Sequence, residues 1–319
     1  MKWYTYTGQK RVDGAIGLEI ETESKAPYVY IKDLTDLWNV HNDGSLRQNG
    51  VEYVFSTPYD YKSVNYAKAL AVFDEQAKVA KFIPSVYTSV HVHLNVTNSE
   101  VVEVFNFMAL YFIVEELLNE YCGPDRNGNL FCLKTSSAEC VYRVARDMVA
   151  AFDKGPEFAK HYISRLSQNA LKYAAMNLYT LRQFGSLEIR THPGTVNIDE
   201  IHRWISILVG LFKFAKTFSN PVQLVQAYHK NSSEFLSSCF GEYASYFNLM
   251  GTKEKLSDGL WYATILADAS PDWKNFGKNF KADEFPKFAP QTTGTLSNEQ
   301  IQDLINAYNA HLITTAEDV

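Results

Sequence analysis

The chain has 319 residues, 46% of them hydrophobic, which is enough for one large domain or two ordinary ones with a substantial core. Charged residues at 21% and aromatics at 14% exclude a disordered or low-complexity protein. Thirty Lys and Arg against 36 Asp and Glu leave a net charge of −6, which excludes a general basic footprint for nucleic acid and leaves only a local patch open.

The N-terminal stretch MKWYTYTGQKRVDG lacks the continuous apolar run of a secretory leader. Cys122, Cys132, Cys140 and Cys239 include no CxxC pair and are too few for a disulfide scaffold, so the expectation is reduced thiols in a cytoplasmic protein. Ile16–Glu23 (IGLEIETE) alternates apolar and acidic residues, the period of a strand with one functional face. Val51–Thr57 and Val86–Val96, rich in β-branched and aromatic residues, are the next strands. Between them Ser63 caps a helix to about Ala80, with Ala67, Leu70 and Phe73 on one stripe.

Asn98 or Ser99 opens a long apolar helix that ends near Tyr121, before Gly123-Pro124. Glu103, Glu115 and Glu116 lie within it and would be costly in lipid, so it reads as a buried helix and no membrane association is expected. A further helix covers Ala138–Phe152, and Gly185–His192 (GSLEIRTH) is another alternating strand, ended by Pro193-Gly194. Asn197 and Glu200 form an N-x-x-E cap ahead of Ile201, Ile205, Leu208, Phe212 and Ala215 on one helical face. Beyond Pro221 the pattern is helical and irregular. Residues 271–295 read as a long connection, and a last helix runs from Ser297 to about Leu312. No internal repeat and no GxxxxGK[ST] loop is present.

Acidic, imidazole or guanidinium groups stand two residues apart inside these strands. The pairs are Glu19 and Glu21, His91 and His93, and Glu188 and Arg190, with Glu52 opening a fourth segment behind Asp43 and Ser45. Residues i and i+2 of a strand share a face roughly 6–7 Å apart, so each pair sets two polar groups side by side while the residues between them feed the core. Hard divalent cations held by carboxylates and an imidazole need such a surface. Taken singly, each pair also fits a solvent-facing strand, a pair of satisfied histidines or a surface ion pair. It is their occurrence together that points to chemistry.

The order GLEIE, NDGSL with GVEYVFSTP, SVHVHLN and GSLEIRTHPGT resembles the amidoligase family, carboxylate–amine ligases similar to glutamine synthetase and glutamate–cysteine ligase. The resemblance covers roughly residues 14–210. It implies an α+β fold in which a curved antiparallel, glutamine-synthetase-like sheet carries helices on its outer face. A catalytic core of about 1–220 is then followed by a helical extension, 221–319, packed on that core. It implies ATP and two or more Mg2+ ions as cofactors. Metal ligation falls to Glu19, Glu21, Glu52, His91 and Glu188, with Asp43 as an adjunct. His93 and Asn177 fall beside the nucleotide, Arg190 on a phosphate, and Arg126 on substrate or phosphate. Two places depart from the family pattern. Ser89, preceded by Thr88, stands where the family has Gly ahead of the H-x-H pair, and EYVFSTP is longer than E-x-V-S-P, leaving the roles of Ser56 and Pro58 open.

The implied reaction phosphorylates a carboxylate to an acyl phosphate, which an amine then attacks to form an amide. The carboxylate could belong to a small molecule, a peptide, a cell-wall peptide or a protein, and the sequence names neither partner. Two other classes stay open: a metal-dependent hydrolase using His91 and His93, with His161, His192 and His202 as further candidates, and a non-catalytic protein that keeps the fold.

Overall fold

The computed structural model describes residues 1–25, 36–47 and 49–276. In chain order the elements are α1 (Trp3–Thr7), β1 (Ile16–Ser24), β2 (Trp38–Asn42), β3 (Val51–Phe55), α2 (Val64–Ala80), β4 (Phe82–Ile83), β5 (Ser89–Asn95) and α3 (Val101–Cys122). They continue with α4 (Cys140–Lys154), α5 (Pro156–Ser164), α6 (Gln168–Leu171), β6 (Met176–Asn177), α7 (Thr180–Gln183) and β7 (Ser186–Pro193). Then follow α8 (Ile198–Ala215), α9 (Pro221–Lys230), α10 (Ser232–Phe240) and α11 (Ser257–Ala267). The last helix expected from the sequence, and residues 277–295 of the expected connection, lie outside the described residues.

The strands form one seven-stranded antiparallel sheet in the order β2-β3-β1-β5-β7-β6, with β4 pairing the end of β1. The alternation read from sequence is what orients it. Ile16, Leu18 and Ile20 of β1, Val90, Val92 and Leu94 of β5, and Leu187 and Ile189 of β7 are all buried on one face. Helices α2, α3 and α8 cover that face. Trp38 of β2 donates from Nε1 to the Ala69 carbonyl at 2.9 Å and lies 5.4 Å from the Phe73 ring, both on α2.

Helix α3 is predominantly apolar, as the sequence suggests, and most of its residues are buried. Its Tyr111 hydroxyl meets Thr191 of β7 at 3.2 Å, Phe107 packs edge-on to Phe212 of α8 at 5.2 Å, and α4, α9 and α11 close its remaining sides. It starts at Val101 rather than at Ser99 because a capping box fixes the boundary: the Glu100 and Glu103 side chains each accept from the other's backbone amide. The fifth strand likewise begins at Ser89, not Val86, because Ser85 accepts from Tyr87 and Thr88 in a turn. Ser56 is spent locally, bonding the Asp36 carbonyl and the Tyr59 hydroxyl.

Glycine decides how closely α11 approaches α3. A Cβ at Gly259 would stand 2.1 Å from the backbone oxygen of Phe112, whereas one at Gly210 on α8 would meet nothing within 4 Å. Gly259→Ala is therefore expected to lower the unfolding free energy by about 1–3 kcal/mol through overpacking. Gly210→Ala should be neutral or stabilising by up to about 1 kcal/mol through helix propensity. Urea unfolding of both variants checks the contrast, and equal costs would contradict this packing.

Candidate metal and phosphate site

The face opposite the helices carries the polar pairs, and strand pairing brings them together. Across β1 and β5, Glu19 lies opposite His91 and Gly17 opposite His93. Across β1 and β3, Glu21 lies opposite Glu52, and β2 extends that row with His41 opposite Glu52. Across β5, β7 and β6, Glu188 lies between His93 and Asn177. Directly opposed residues share a face, so four carboxylates converge from three strands.

A bulge shapes the β7 side. Val90 pairs with His192 but Val92 with Ile189, so Arg190 and Thr191 together face the single residue His91. Thr191 turns toward Tyr111 of α3, which leaves Arg190 on the site face. Arg126 holds this irregular backbone: it is 3% exposed and donates from Nε to the Thr191 carbonyl and from Nη2 to the Arg190 carbonyl, both at 2.8 Å. Arg126 thus holds the backbone that carries Arg190. His192, the hydrolase candidate beside a strand, packs 5.4 Å from Trp204 on the helical side, and burial lowers it to about 4. His161 and His202 lie on α5 and α8.

The side chains interlock. His91 Nδ1 is 3.1 Å from Glu19 Oε2 and 3.5 Å from Glu188 Oε1, while its Nε2 is 2.7 Å from the Ser89 hydroxyl. Ser89 in turn donates to Glu21 Oε2 at 2.5 Å. His93 Nε2 is 3.0 Å from Glu19 Oε1, with its Nδ1 3.1 Å from Ser186 Oγ. Asn177 donates to Glu188 Oε2 at 2.6 Å, and Arg190 donates from Nη1 to Glu188 Oε1 at 2.5 Å and from Nε to the Phe131 carbonyl at 3.2 Å. Glu21, His91, His93 and Glu188 are buried, whereas Glu19 and Glu52 are partly exposed.

The electrostatics are those of crowded like charge. Burial, and then the charges of Glu19, Glu21, Asp43 and Glu188, push the Glu52 carboxyl up to about 8. Burial alone would raise Glu19 too, but His93 and His91 outweigh it and hold Glu19 well below the usual range. For His93, burial opposes charging, yet Glu19 and Glu188 raise it. Three overlapping groups have ligand atoms within 4.8 Å of one another: Glu19 with Glu52 and His91, Glu19 with His93 and Glu188, and Glu21 with Asp43 and Glu52. These donor sets, mostly carboxylate oxygen with one imidazole or none, and a carboxyl that keeps its proton for want of a counter-charge, fit hard divalent cations.

Among the described residues the structure thus assembles Glu19, Glu21, Glu52, His91, His93, Asn177, Glu188 and Arg190, with Asp43 at one edge. Ser186 and the bridging role of Ser89 were not foreseen. The i, i+2, i+4 spacing of Ser186, Glu188 and Arg190 was the available signal for the first. His41 was missed because WNVHN was not read as a strand.

Residues 9–212 match the family described as "Putative amidoligase enzyme". The chain belongs to this family, which makes it a protein of the ligase class. The comparison with curated proteins finds no match.

The raised Glu52 carboxyl makes the metal-free protein's stability depend on pH. The folded state keeps that proton to a higher pH than an unfolded chain does. The stability it contributes is therefore full below the ordinary value of 4.5 and is lost as pH rises through about 8. Thermal unfolding in EDTA is expected to shift to lower temperature from pH 5 to 8.5, with a distinctly shallower fall in Glu52→Gln. An identical fall in the variant would contradict the crowding at Glu52.

Proposed function

We propose that this protein is an ATP- and Mg2+-dependent carboxylate–amine ligase with a glutamine-synthetase-like core, forming an amide through an acyl phosphate. One observation supports the reading: three overlapping sets of carboxylates and imidazoles, close enough to share a cation, gather on the sheet face and at its Asp43 edge in a chain of the amidoligase family. Glu19, Glu21, Glu52, His91 and Glu188 would hold two or more Mg2+ ions. His93, which stands with Glu19 and Glu188, serves either the ions or the nucleotide beside them. Bound Mg2+ would supply the positive charge that screens the ATP phosphates from a protein of net charge −6.

The chain's own residues do the rest. Arg190 sits at the edge of the carboxylates with a guanidinium fork that suits a phosphoryl group gaining charge, and Arg126 fixes the backbone from which it projects. Asn177 and Arg190 each donate to one oxygen of Glu188 and so orient that carboxylate. Phosphoryl transfer asks for positioning and charge neutralisation more than for covalent help, which suits a site of fixed carboxylates around one guanidinium. The partners this reading implies are small-molecule or peptide carboxylates and amines, a protein or cell-wall peptide acceptor included. The histidines a binuclear hydrolase would add, His161, His192 and His202, do not join the carboxylates, which favours the ligase reading.

Isothermal titration should show ATP binding that requires Mg2+ and is lost in Glu19→Gln. Undiminished binding in that variant would remove Glu19 from the site. Arg190→Lys is expected to fold normally, to keep Mg2+ binding and to lose roughly 10²-fold or more in phosphate release from ATP, the scale of removing one preorganised donor. Turnover equal to wild type would show Arg190 to be only an ion-pair partner of Glu188.

A further inference from the structure

Ser89 opens β5 one face-sharing step before His91 and is 3% exposed. Its hydroxyl touches two of the proposed ligands at once, Glu21 Oε2 at 2.5 Å and His91 Nε2 at 2.7 Å. A hydroxyl has a single hydrogen to give. The carboxylate accepts it, so the serine oxygen meets the imidazole as an acceptor, and His91 Nε2 must carry the hydrogen of that contact. This holds whether the ring is neutral or charged. The other ring nitrogen, Nδ1, is the one aimed at Glu19 Oε2 at 3.1 Å and Glu188 Oε1 at 3.5 Å.

We propose that Ser89 is a positioning residue that holds His91 in its Nε2–H form and thereby makes Nδ1 the atom that ligates a divalent cation. The same hydroxyl ties His91, grouped with Glu19 and Glu52, to Glu21, grouped with Asp43 and Glu52. One buried serine therefore sets two adjacent ligand groups in register with each other. Outer partners of this kind fix the ring orientation and the donor atom of a ligating histidine. The inference rests on the metal reading above and adds to it which atom binds and what enforces the choice.

The test is nitrogen NMR on protein labelled with 15N-histidine, first metal-free and then titrated with Mg2+, alongside calorimetry with Mg2+ alone. Wild-type His91 should carry its hydrogen on Nε2, and the Nδ1 resonance should be the one that moves on adding Mg2+. Ser89→Ala should show a mixture of ring forms and a Mg2+ affinity lower by about 10- to 100-fold, while Ser89→Thr, which keeps the hydroxyl, retains the wild-type pattern. Circular dichroism confirms that each variant is folded. A bare Nε2 in the wild type, or an unchanged ring form and affinity in Ser89→Ala, would overturn the role of Ser89 and leave the metal site standing. A wild-type protein that shows neither a His91 response nor heat with Mg2+ would instead overturn the metal reading itself.

Discussion

Mutual repulsion among Glu19, Glu21, Glu52 and Glu188 is the constraint around which the rest of this sheet is arranged. Two full charges roughly 4 Å apart repel by about 4 kcal/mol at an effective dielectric of about 20. Here the ligand atoms of neighbouring acids lie within 4.8 Å of one another. The metal-free protein answers in two ways. His93 and Arg190 are threaded between the acids as counter-charges, His91 packs among them, and Glu52 holds a proton up to about 8. Both answers leave negative charge unmet. Cations with a preference for oxygen are the natural complement to what remains.

A crowded acidic face survives only if the opposite face outweighs it. Each fully buried aliphatic or aromatic side chain contributes about 1.5–3 kcal/mol, so two or three of them offset one such repulsion. The sheet buries Ile16, Leu18, Ile20, Val90, Val92, Leu94, Leu187 and Ile189 beneath α3 and α8, well beyond that ratio. The same layer also reaches through the sheet. Tyr111 draws Thr191 toward α3 while Arg126 braces the carbonyls on either side of the bulge, and together these place Arg190 on the acidic face. Positioning of the guanidinium thus draws on buried groups outside the acidic cluster, Tyr111 and Arg126.

Much of this was legible in the sequence because a strand with one working face writes its period plainly. IGLEIETE, SVHVHLN and GSLEIRTH each show the alternation, and the structure orients each as the alternation requires. The predominantly apolar composition of Val101–Cys122 likewise announced a buried helix. What stayed hidden depends on pairing rather than period. The two-residue strands β4 and β6 are too short to have a period, and β2 carries only Trp38 and Val40 as apolar markers, which left His41 unplaced opposite Glu52. The bulge at Arg190 and Thr191 has no one-dimensional signature, so nothing in GPDRNGN told that Arg126 bonds backbone carbonyls. Ser89 drew notice as a departure from the family's glycine. Its contact with both Glu21 and His91 appears only once β1 and β5 are paired.

The account turns on whether the acidic face gathers divalent cations at the positions its ligand groups define. Crystals of the protein grown with Mn2+ and a non-hydrolysable ATP analogue would answer this through the anomalous signal of manganese. Peaks are predicted within bonding distance of Glu19, Glu21, Glu52, His91 and Glu188, with the analogue's phosphates against them and Arg190 turned to a phosphate oxygen. A face that keeps the Arg190–Glu188 pair, with manganese absent or bound only elsewhere on the protein, would contradict it.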